Sequence, residues 1–300
     1  MNELSPKGSD ASAQQRYHDD RFDALAEPDR VRIVIEDLTG SATHEGWIGL
    51  DQMGHFGTHG CELVTDQIVA RHDKLSVLVE LGSGYGGALR DVLHRLSQRG
   101  VDVDIGIGTD VVTRHCTSAR RIGADSGLPA VFVAGDAALM PLTGSTADAV
   151  FAAGSMPHFT QSGAVLAEAW RILRPGGTLV MTEEVSLLRD HRLPSASFVA
   201  EHPHSVFSFS TVDERTRQLH EAGFDPVSFT DLTDWALALV DARLRAVRLL
   251  RGTAERVYGE KQLAAIEQTL VVTLDAYRDG TLRPGSFASV RRGSGVKDRS

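Results

Sequence analysis

The sequence predicts an α/β fold in which helices flank a doubly wound, mostly parallel sheet of seven strands. Short apolar runs of strand character alternate with segments of helical apolar spacing through most of residues 76–292. The first run leads through a glycine-rich turn into a helix, which is the opening of a βαβ unit. A last strand-like segment, residues 286–292, follows two amphipathic helices and is expected to close the sheet as an antiparallel strand.

The glycine-rich turn follows an apolar run that ends at Glu80, in the sequence VLVELGSGYGG at residues 77–87. Glycine adopts positive φ at no steric cost and leaves no Cβ in the path of a ligand. The turn is therefore expected to hold a cofactor against bare backbone. Its glycines are Gly82, Gly84, Gly86 and Gly87.

Two cofactor patterns fit this turn. The spacing G-x-G-x-x-G, typical of dinucleotide sites, is satisfied from Gly82 to Gly87. The spacing acidic-x-G-x-G-x-G, which starts at Glu80, resembles the first motif of class I S-adenosylmethionine (SAM) dependent methyltransferases. A carboxylate at this position repels a pyrophosphate and attracts the ammonium and sulfonium of SAM, so Glu80 favours SAM. An NAD(P)-dependent oxidoreductase is the alternative.

The second strand ends at Asp110, where an α/β nucleotide site places the carboxylate that binds ribose hydroxyls. Asp110 lies 28 residues after Gly82, whereas dinucleotide folds space these positions by about 20 residues. The longer spacing again favours SAM. Alternatively, Asp110 only caps the helix predicted over residues 111–124. Further strands are predicted at residues 130–134, 148–152, 178–184 and 226–232.

Three downstream stretches strengthen the resemblance: GDA at residues 135–137, LMPLTGSTADAVFAAGSMPHF at 139–159 and EAWRILRPGGTLVMTEE at 168–184. They resemble the second to fourth motifs of small-molecule class I methyltransferases. The nearest group is the sarcosine/dimethylglycine and ubiquinone/menaquinone methyltransferases, whose upstream loop is similar to LDQMGHF at residues 50–56. The resemblance covers residues 46–291 and implies a Rossmann-like fold with SAM as cofactor and S-adenosylhomocysteine (SAH) as product.

The resemblance also implies which residues contact SAM. The methionine part is expected at the first turn, the ribose at the second strand, the adenine edge after the third strand and the sulfonium above the end of the fourth. In that order the residues are Glu80, Gly82, Ser83, Gly84 and Gly86, then Asp110, then Asp136 with Ala137, then Gly154 and Ser155.

A base is needed if the methyl acceptor must lose a proton, and histidine suits this role near neutral pH. His158 follows the fourth strand, on the side expected for the sulfonium, and Glu183 at the end of the fifth strand is expected to orient its imidazole. His55 and His59 are the reserve candidates for the base. Alternatively, these histidines serve packing and capping.

Two segments are expected to form the acceptor pocket. The glycine-rich loop at residues 46–60, with Trp47, Gln52 and Phe56, immediately precedes the first βα unit and is expected to fold over the turn. An insertion at residues 185–210 follows the fifth strand and is expected to be a lid. Its candidate walls are His202, His204, Phe207 and Phe209, which alternatively belong to the core.

This pocket suits a medium-sized, partly apolar acceptor, methylated on O or N and belonging to specialised natural-product metabolism. The main rival is a C-methyltransferase acting on a prenyl or quinone-like substrate. A SAM-binding protein without catalysis is a further alternative.

Composition limits the kinds of partner that the protein is expected to bind. The net charge is −9, with basic residues scattered, so no nucleic-acid partner is expected. No apolar run approaches the roughly 18 residues of a membrane span, and the start lacks the features of a secretory signal. The expectation is a cytoplasmic monomer or homodimer. Cys61 and Cys116 are expected to be reduced, and no metal site is predicted.

The predicted domain organisation has four parts. Residues 1–14 are expected to be a mobile tail, and residues 15–75 a helical cap with the active-site loop. The SAM-binding domain is predicted over residues 76–292, followed by a short tail at 293–300.

Overall fold

The computed structural model describes residues 11–41, 44–47, 49–186 and 195–293. One sheet contains all seven predicted strands. They are β1 (Lys74–Leu81), β2 (Asp102–Asp110), β3 (Ala130–Ala134), β4 (Ala147–Ala153), β5 (Leu173–Ser186), β6 (Phe224–Asp231) and β7 (Leu282–Arg291). The order across the sheet is β3-β2-β1-β4-β5-β7-β6, with β1 to β5 parallel and β7 antiparallel to β5 and β6. The predicted fold class and antiparallel last strand are confirmed.

Twelve α-helices are assigned within the described ranges. They are α1 (Ala11–Phe22), α2 (Pro28–Thr39), α3 (His44–Trp47), α4 (Gly57–Val69), α5 (Gly87–Gln98), α6 (Thr113–Gly123), α7 (Ser162–Ile172), α8 (Ala196–Glu201), α9 (Val212–Ala222), α10 (Thr233–Leu249), α11 (Arg251–Tyr258) and α12 (Glu260–Asp279). Short 3₁₀ turns occur at Asp23–Ala26 and Met156–His158. None of the helices in the described ranges is long and apolar enough to cross a membrane.

The sheet is buried on both faces, which explains why its central strands read as continuous apolar runs. Leu78 points to the face covered by α4 and α5, where it joins Leu89 in one apolar cluster. The next residue, Val79, points to the face covered by α7 and α9, where it joins Leu166. The parallel order reverses between β1 and β4, and the carboxyl edge at such a reversal is where α/β sheets bind ligands.

The N-terminal segment packs over this carboxyl edge. Helix α1 begins at Ala11, so the tail boundary predicted at residue 14 lies inside a helix. Gln14 is buried, and its side-chain amide donates hydrogen bonds to the carbonyls of His158 (3.2 Å) and Val206 (2.9 Å). In the sequence, polar residues such as Gln14 are typical of a solvent-exposed tail. Their contacts with the edge of the sheet could not be predicted, because their partners lie far along the chain.

The end of β5 is joined to α9 by a buried ion pair. Arg215 donates from Nε and Nη2 to the two carboxylate oxygens of Glu183, at 2.9 and 3.0 Å, and both side chains are fully buried. Burial raises the pKa of Glu183, and the Arg215 guanidinium opposes that shift. Helix α9 starts at a capping box formed by Thr211 and Glu214. The ion pair therefore fixes the position of α9 beside β5.

Removing one partner of this pair should leave an uncompensated buried charge. We expect Arg215→Met to lower the free energy of unfolding by about 3–5 kcal/mol, measured by urea denaturation. The double variant Glu183→Gln/Arg215→Met should lose clearly less, because neither charge remains. A single variant within about 1 kcal/mol of the unmodified protein would show that Glu183 does not depend on Arg215.

Candidate active site

Two adjoining cavities lie at the carboxyl edge of the sheet. The larger, about 370 Å³, is bounded by the tips of β1, β2 and β4 and covered by α1 and the helices α10 to α12. The smaller, about 60 Å³, lies between the glycine turn and the loop after residue 50. Both are lined by residues from that loop, from β5 and from the glycine turn, so they are two parts of one site. The residues that they share include Gln52, Met53, Gly54, His55, Gly82, Gly154 and Glu184.

The glycine turn has a backbone that excludes side chains. Gly82 and Gly84 have φ of 69° and 50°, a left-handed conformation that favours glycine. A Cβ on Gly82 would lie 2.6 Å from Cβ of Ser155, and one on Gly84 would lie 2.3 Å from Cε of Met53. Met53, in the described part of the loop at residues 49–57, thus packs directly on the turn, as expected for this loop.

Asp110 holds the glycine turn in place. Its Oδ2 accepts a hydrogen bond from the Gly84 N–H, and its Oδ1 accepts one from the Val112 N–H, each at 2.8 Å. Nδ1 of His115 lies 3.3 Å from the same Oδ1. Burial acts to raise the pKa of Asp110, but the hydrogen bonds and the His115 charge bring it below its ordinary value. An ionised carboxylate therefore lines the larger cavity.

Glu80 is a buried carboxylate without a full set of partners. It is 2% exposed, and Oε2 forms no hydrogen bond to any described residue. Burial raises the pKa of Glu80 to about 8, against the lowering effect of a hydrogen bond from the Leu89 backbone. The hydroxyl of Ser83 is also buried without a described partner. Both side chains line the smaller cavity, which is therefore suited to a polar, cationic group.

Most of the residues expected to bind cofactor reach the cavities. Those lining the larger cavity are Gly82, Asp110, Asp136, Ala137, Gly154 and Ser155, and those lining the smaller one include Glu80, Ser83 and Gly84. Gly86 lines neither cavity. It precedes α5, and its Cβ position is closed off by Phe132, 2.4 Å away. Gly86 therefore shapes the entry to the helix.

His158 lines the larger cavity but does not meet Glu183. Its ring lies 4.5 Å from Phe207 and 5.3 Å from His18, and its Nδ1 is buried without a partner among the described residues. Burial lowers the pKa of His158 to about 4. The predicted His158–Glu183 contact is not formed, because Glu183 points to the face of β5 where Arg215 lies. Successive side chains on a strand point to opposite faces.

The next residue of β5, Glu184, is the carboxylate that reaches the site. Its Oε1 lies 2.8 Å from Nδ1 of His55 and accepts a hydrogen bond from the Tyr277 hydroxyl, also at 2.8 Å. Burial acts to raise the pKa of Glu184, but the electrostatic interaction with His55 and these hydrogen bonds lower it. His55 and Glu184 line both cavities and so lie where the two meet.

Of the other residues predicted to be catalytic or to line the acceptor pocket, some line a cavity and others do not. Gln52 and Phe207 line the larger cavity and Phe56 the smaller one. Five others line neither cavity. Trp47 is buried in the N-terminal cluster, His59 and His204 are exposed, His202 stacks on Phe198, and Phe209 lies behind Phe207. Residues 187–194 of the predicted lid lie outside the described residues.

The cover of the larger cavity was not predicted from the sequence. Helices α10 to α12 contribute an apolar wall together with one cation, Arg243. Helices α10 and α12 were predicted as amphipathic, but the pattern does not say what their apolar faces contact, and α11 was not predicted. The apolar side chains of this wall are Ala246, Val247, Leu250, Ala254, Leu263, Ile266 and Leu270.

Comparison with known proteins identifies the domain around this site. Residues 79–181 match the methyltransferase domain family, from β1 into β5. The chain contains a class I SAM-dependent methyltransferase domain. Dimethylglycine N-methyltransferase of Parasynechococcus marenigrum is 37% identical over 111 residues, which are 36% of this chain and 38% of that protein. Demethylmenaquinone methyltransferase of Deinococcus radiodurans is 33% identical over 106 residues, 35% of this chain and 42% of that protein.

A solved structure extends the likeness to the whole fold. Geranyl diphosphate C-methyltransferase of Streptomyces coelicolor A3(2) superimposes with a TM-score of 0.66 at 16% identity, over 97% of this chain and 100% of that chain. The alignments to the two curated relatives span about two fifths of their length. The predicted family resemblance and its cofactor, SAM, are confirmed.

The residues of the methyltransferase domain fit SAM chemically. The free Oε2 of Glu80 and the Ser83 hydroxyl are buried polar atoms that lack partners in the protein. Gly82 and Gly84 line the smaller cavity with backbone atoms alone, because glycine has no side chain. An ionised Asp110 lies at the ribose position expected at the end of the second strand.

The raised pKa of Glu80 predicts how cofactor affinity depends on pH. Below about pH 8 the free carboxyl keeps its proton, so holding a cationic ammonium requires that proton to be released. SAH affinity should therefore rise with pH, by up to about tenfold per unit between roughly pH 6 and 7.5. Titration calorimetry in two buffers of different ionisation heat would measure both the affinity and the released proton.

Glu80→Gln should bind SAH more weakly and lose this pH dependence, while the exposed Glu27→Gln should retain it. Equal pH dependence in Glu80→Gln and the unmodified protein would show that another group is responsible.

Proposed function

We propose that this protein transfers a methyl group from SAM to an O or N atom of a medium-sized, partly apolar small molecule in specialised metabolism. The observation that carries the proposal is the place of His55 and Glu184. This pair lines both the smaller cavity, which suits the cationic end of the cofactor, and the larger cavity, which contains the other predicted cofactor residues and the apolar wall. The polar and apolar parts of the site thus meet at a group able to move a proton.

On this proposal the chain positions SAM through the strand tips. Glu80 and Ser83 would hold the ammonium end, Asp110 the ribose hydroxyls, and Asp136 with Ala137 the adenine edge. Gly154 and Ser155 would lie beneath the sulfonium. Ser155 is itself fixed, because its hydroxyl donates to the Leu81 carbonyl at 2.5 Å. When bound, SAM supplies an electrophilic methyl group.

The chain would align the acceptor and accept its proton. Glu184 orients His55 by binding Nδ1, as a carboxylate does in a catalytic triad. Nε2 of His55 lies 3.4 Å from the Thr273 hydroxyl, a long contact that leaves this nitrogen available to an acceptor. We therefore propose His55 as the base. His158, neutral at pH 7, remains the second candidate because its Nδ1 has no described partner.

The likeness to a protein named demethylmenaquinone methyltransferase favours a second candidate function. In it the acceptor is quinone-like or prenyl and is methylated on carbon. The apolar wall of α10 and α12 suits this acceptor as well. Its acceptor atom would differ, but the cofactor site would be the same.

Turnover with radiolabelled SAM and a panel of phenols, amines and quinols tests the proposal. Transfer to a phenol or amine supports it, whereas transfer only to quinol carbon supports the second candidate. SAM binding without any transfer would point to a SAM-binding protein that does not catalyse methylation.

Replacing the proposed base should separate chemistry from cofactor binding. We expect His55→Ala to reduce kcat by about 10²–10⁴-fold on the methylated acceptor, the usual contribution of a general base. SAH affinity should stay unchanged. The exposed His59→Ala on the adjoining helix is the matched control. If His55→Ala keeps more than half of the turnover and His158→Ala does not, the base is His158.

A further inference from the structure

Arg243 lacks the carboxylate partner that three other arginines in the interior of the described chain have. Arg90 is paired with Asp51, Arg215 with Glu183, and Arg21 with Glu201. Arg243 forms no ion pair with a described carboxylate. Its hydrogen bonds run from Nη1 to the carbonyls of Gly54, at 2.8 Å, and His55. Nε and Nη2 have no partner among the described residues.

The surroundings of this guanidinium do not compensate its charge. Burial lowers the pKa of Arg243, and the nearby side chains that oppose the shift are two phenols, Tyr258 and Tyr277. The carboxylates that line the cavity are already engaged with donors of their own. Glu184 binds His55 and Tyr277, and Asp110 binds the glycine turn. The free charge on this side of the cavity is therefore positive.

The same face of α10 continues into the apolar wall. Ala246 and Val247 follow Arg243 by three and four residues, so they lie beside it on the helix surface. Ile266 and Leu270 of α12 complete the wall on the same cavity. A cation next to an apolar surface is complementary to a molecule with an anionic group on an apolar body.

We propose that the acceptor cavity recognises an amphipathic anion, whose carboxylate or phosphate group is held by Arg243 while its apolar body lies against α10 and α12. This inference rests on the proposed function, since it names the class of molecule that the methyltransferase would accept. Arg243 donates to the carbonyl of His55, so the anchored anion would lie close to the proposed base.

Binding to the SAH-saturated protein tests the inference without requiring catalysis. The probes share one chain and differ in the head group: decanoate, decyl phosphate and decanol. Calorimetry should show at least about tenfold tighter binding of an anion than of decanol, as a charge-assisted contact in a low-dielectric site implies. Tighter binding of decanoate identifies a carboxylate acceptor, and tighter binding of decyl phosphate identifies a phosphate.

Arg243→Gln should reduce the affinity for the anion to that for decanol, while decanol and SAH bind as before. Arg245→Gln, an exposed position on the same helix, is the matched control and should keep the preference. Equal binding of anion and alcohol, or no binding of any probe, would overturn the inference. So would a fall in SAH affinity in Arg243→Gln, because Arg243 would then act only by holding the loop. Failure of SAH binding or methyl transfer in the unmodified protein would instead refute the proposed function.

Discussion

The site depends on the hydrogen bonds between the Asp110 carboxylate and two backbone N–H groups. One comes from Gly84, in the turn after β1, and the other from Val112, at the start of α6. A further bond, from the Ser83 N–H to the Thr109 carbonyl at 2.8 Å, joins the same two strand tips. Without these bonds, the left-handed turn would have only weak local preferences to hold it. The position of the glycine turn, which lines the smaller cavity, is thus fixed by its contacts with the end of β2.

Buried charge distinguishes the structural part of the molecule from the functional part. Pairs such as Glu183 with Arg215 are complete within the protein and fix helices to the sheet. Glu80 and Arg243 are incomplete, and they lie on opposite sides of the junction between the two cavities. Glu80 keeps its proton below about pH 8 and becomes an anion when it releases that proton on binding a cationic group, whereas Arg243 is a cation without a described carboxylate partner. An acid able to ionise and an unpaired cation therefore favour a site built for two ligands of opposite charge, a cationic cofactor end and an anionic acceptor.

The strands of the sheet could be predicted from the sequence, because each central strand is buried on both faces and each is followed by turn or helix signals. The location of Glu80 and Asp110 at the cavities could also be predicted, because the strand tips of a parallel sheet meet at one edge. The sequence was not sufficient to choose between Glu183 and Glu184, since both follow the same strand and only the packing decides which face meets α9. A shift of one residue moves a side chain from one face to the other.

The helices that cover the site could not be assigned to it from the sequence, because the contacts that place them are long-range. Arg243 contacts Gly54, 189 residues away, and such a distance leaves no local pattern. Trp47 was wrongly predicted to line the pocket, because a large aromatic residue in a glycine-rich loop is typical of a pocket wall. In the structure its side chain packs in the N-terminal core. Local propensity gives the elements, whereas long-range contacts decide which of their faces form the site.

The loop at residues 49–57, which carries the proposed base, is held by contacts on two sides. On the side of the sheet, Arg90 of α5 pairs with Asp51. On the side of the cover, the Tyr258 hydroxyl donates to the Leu50 carbonyl at 2.6 Å, and Arg243 donates to Gly54 and His55. His55 is therefore positioned jointly by the half of the site that faces the cofactor and the half that faces the acceptor. The proposed base is thus fixed relative to both parts of the site by several independent contacts, so no single contact has to hold the loop by itself.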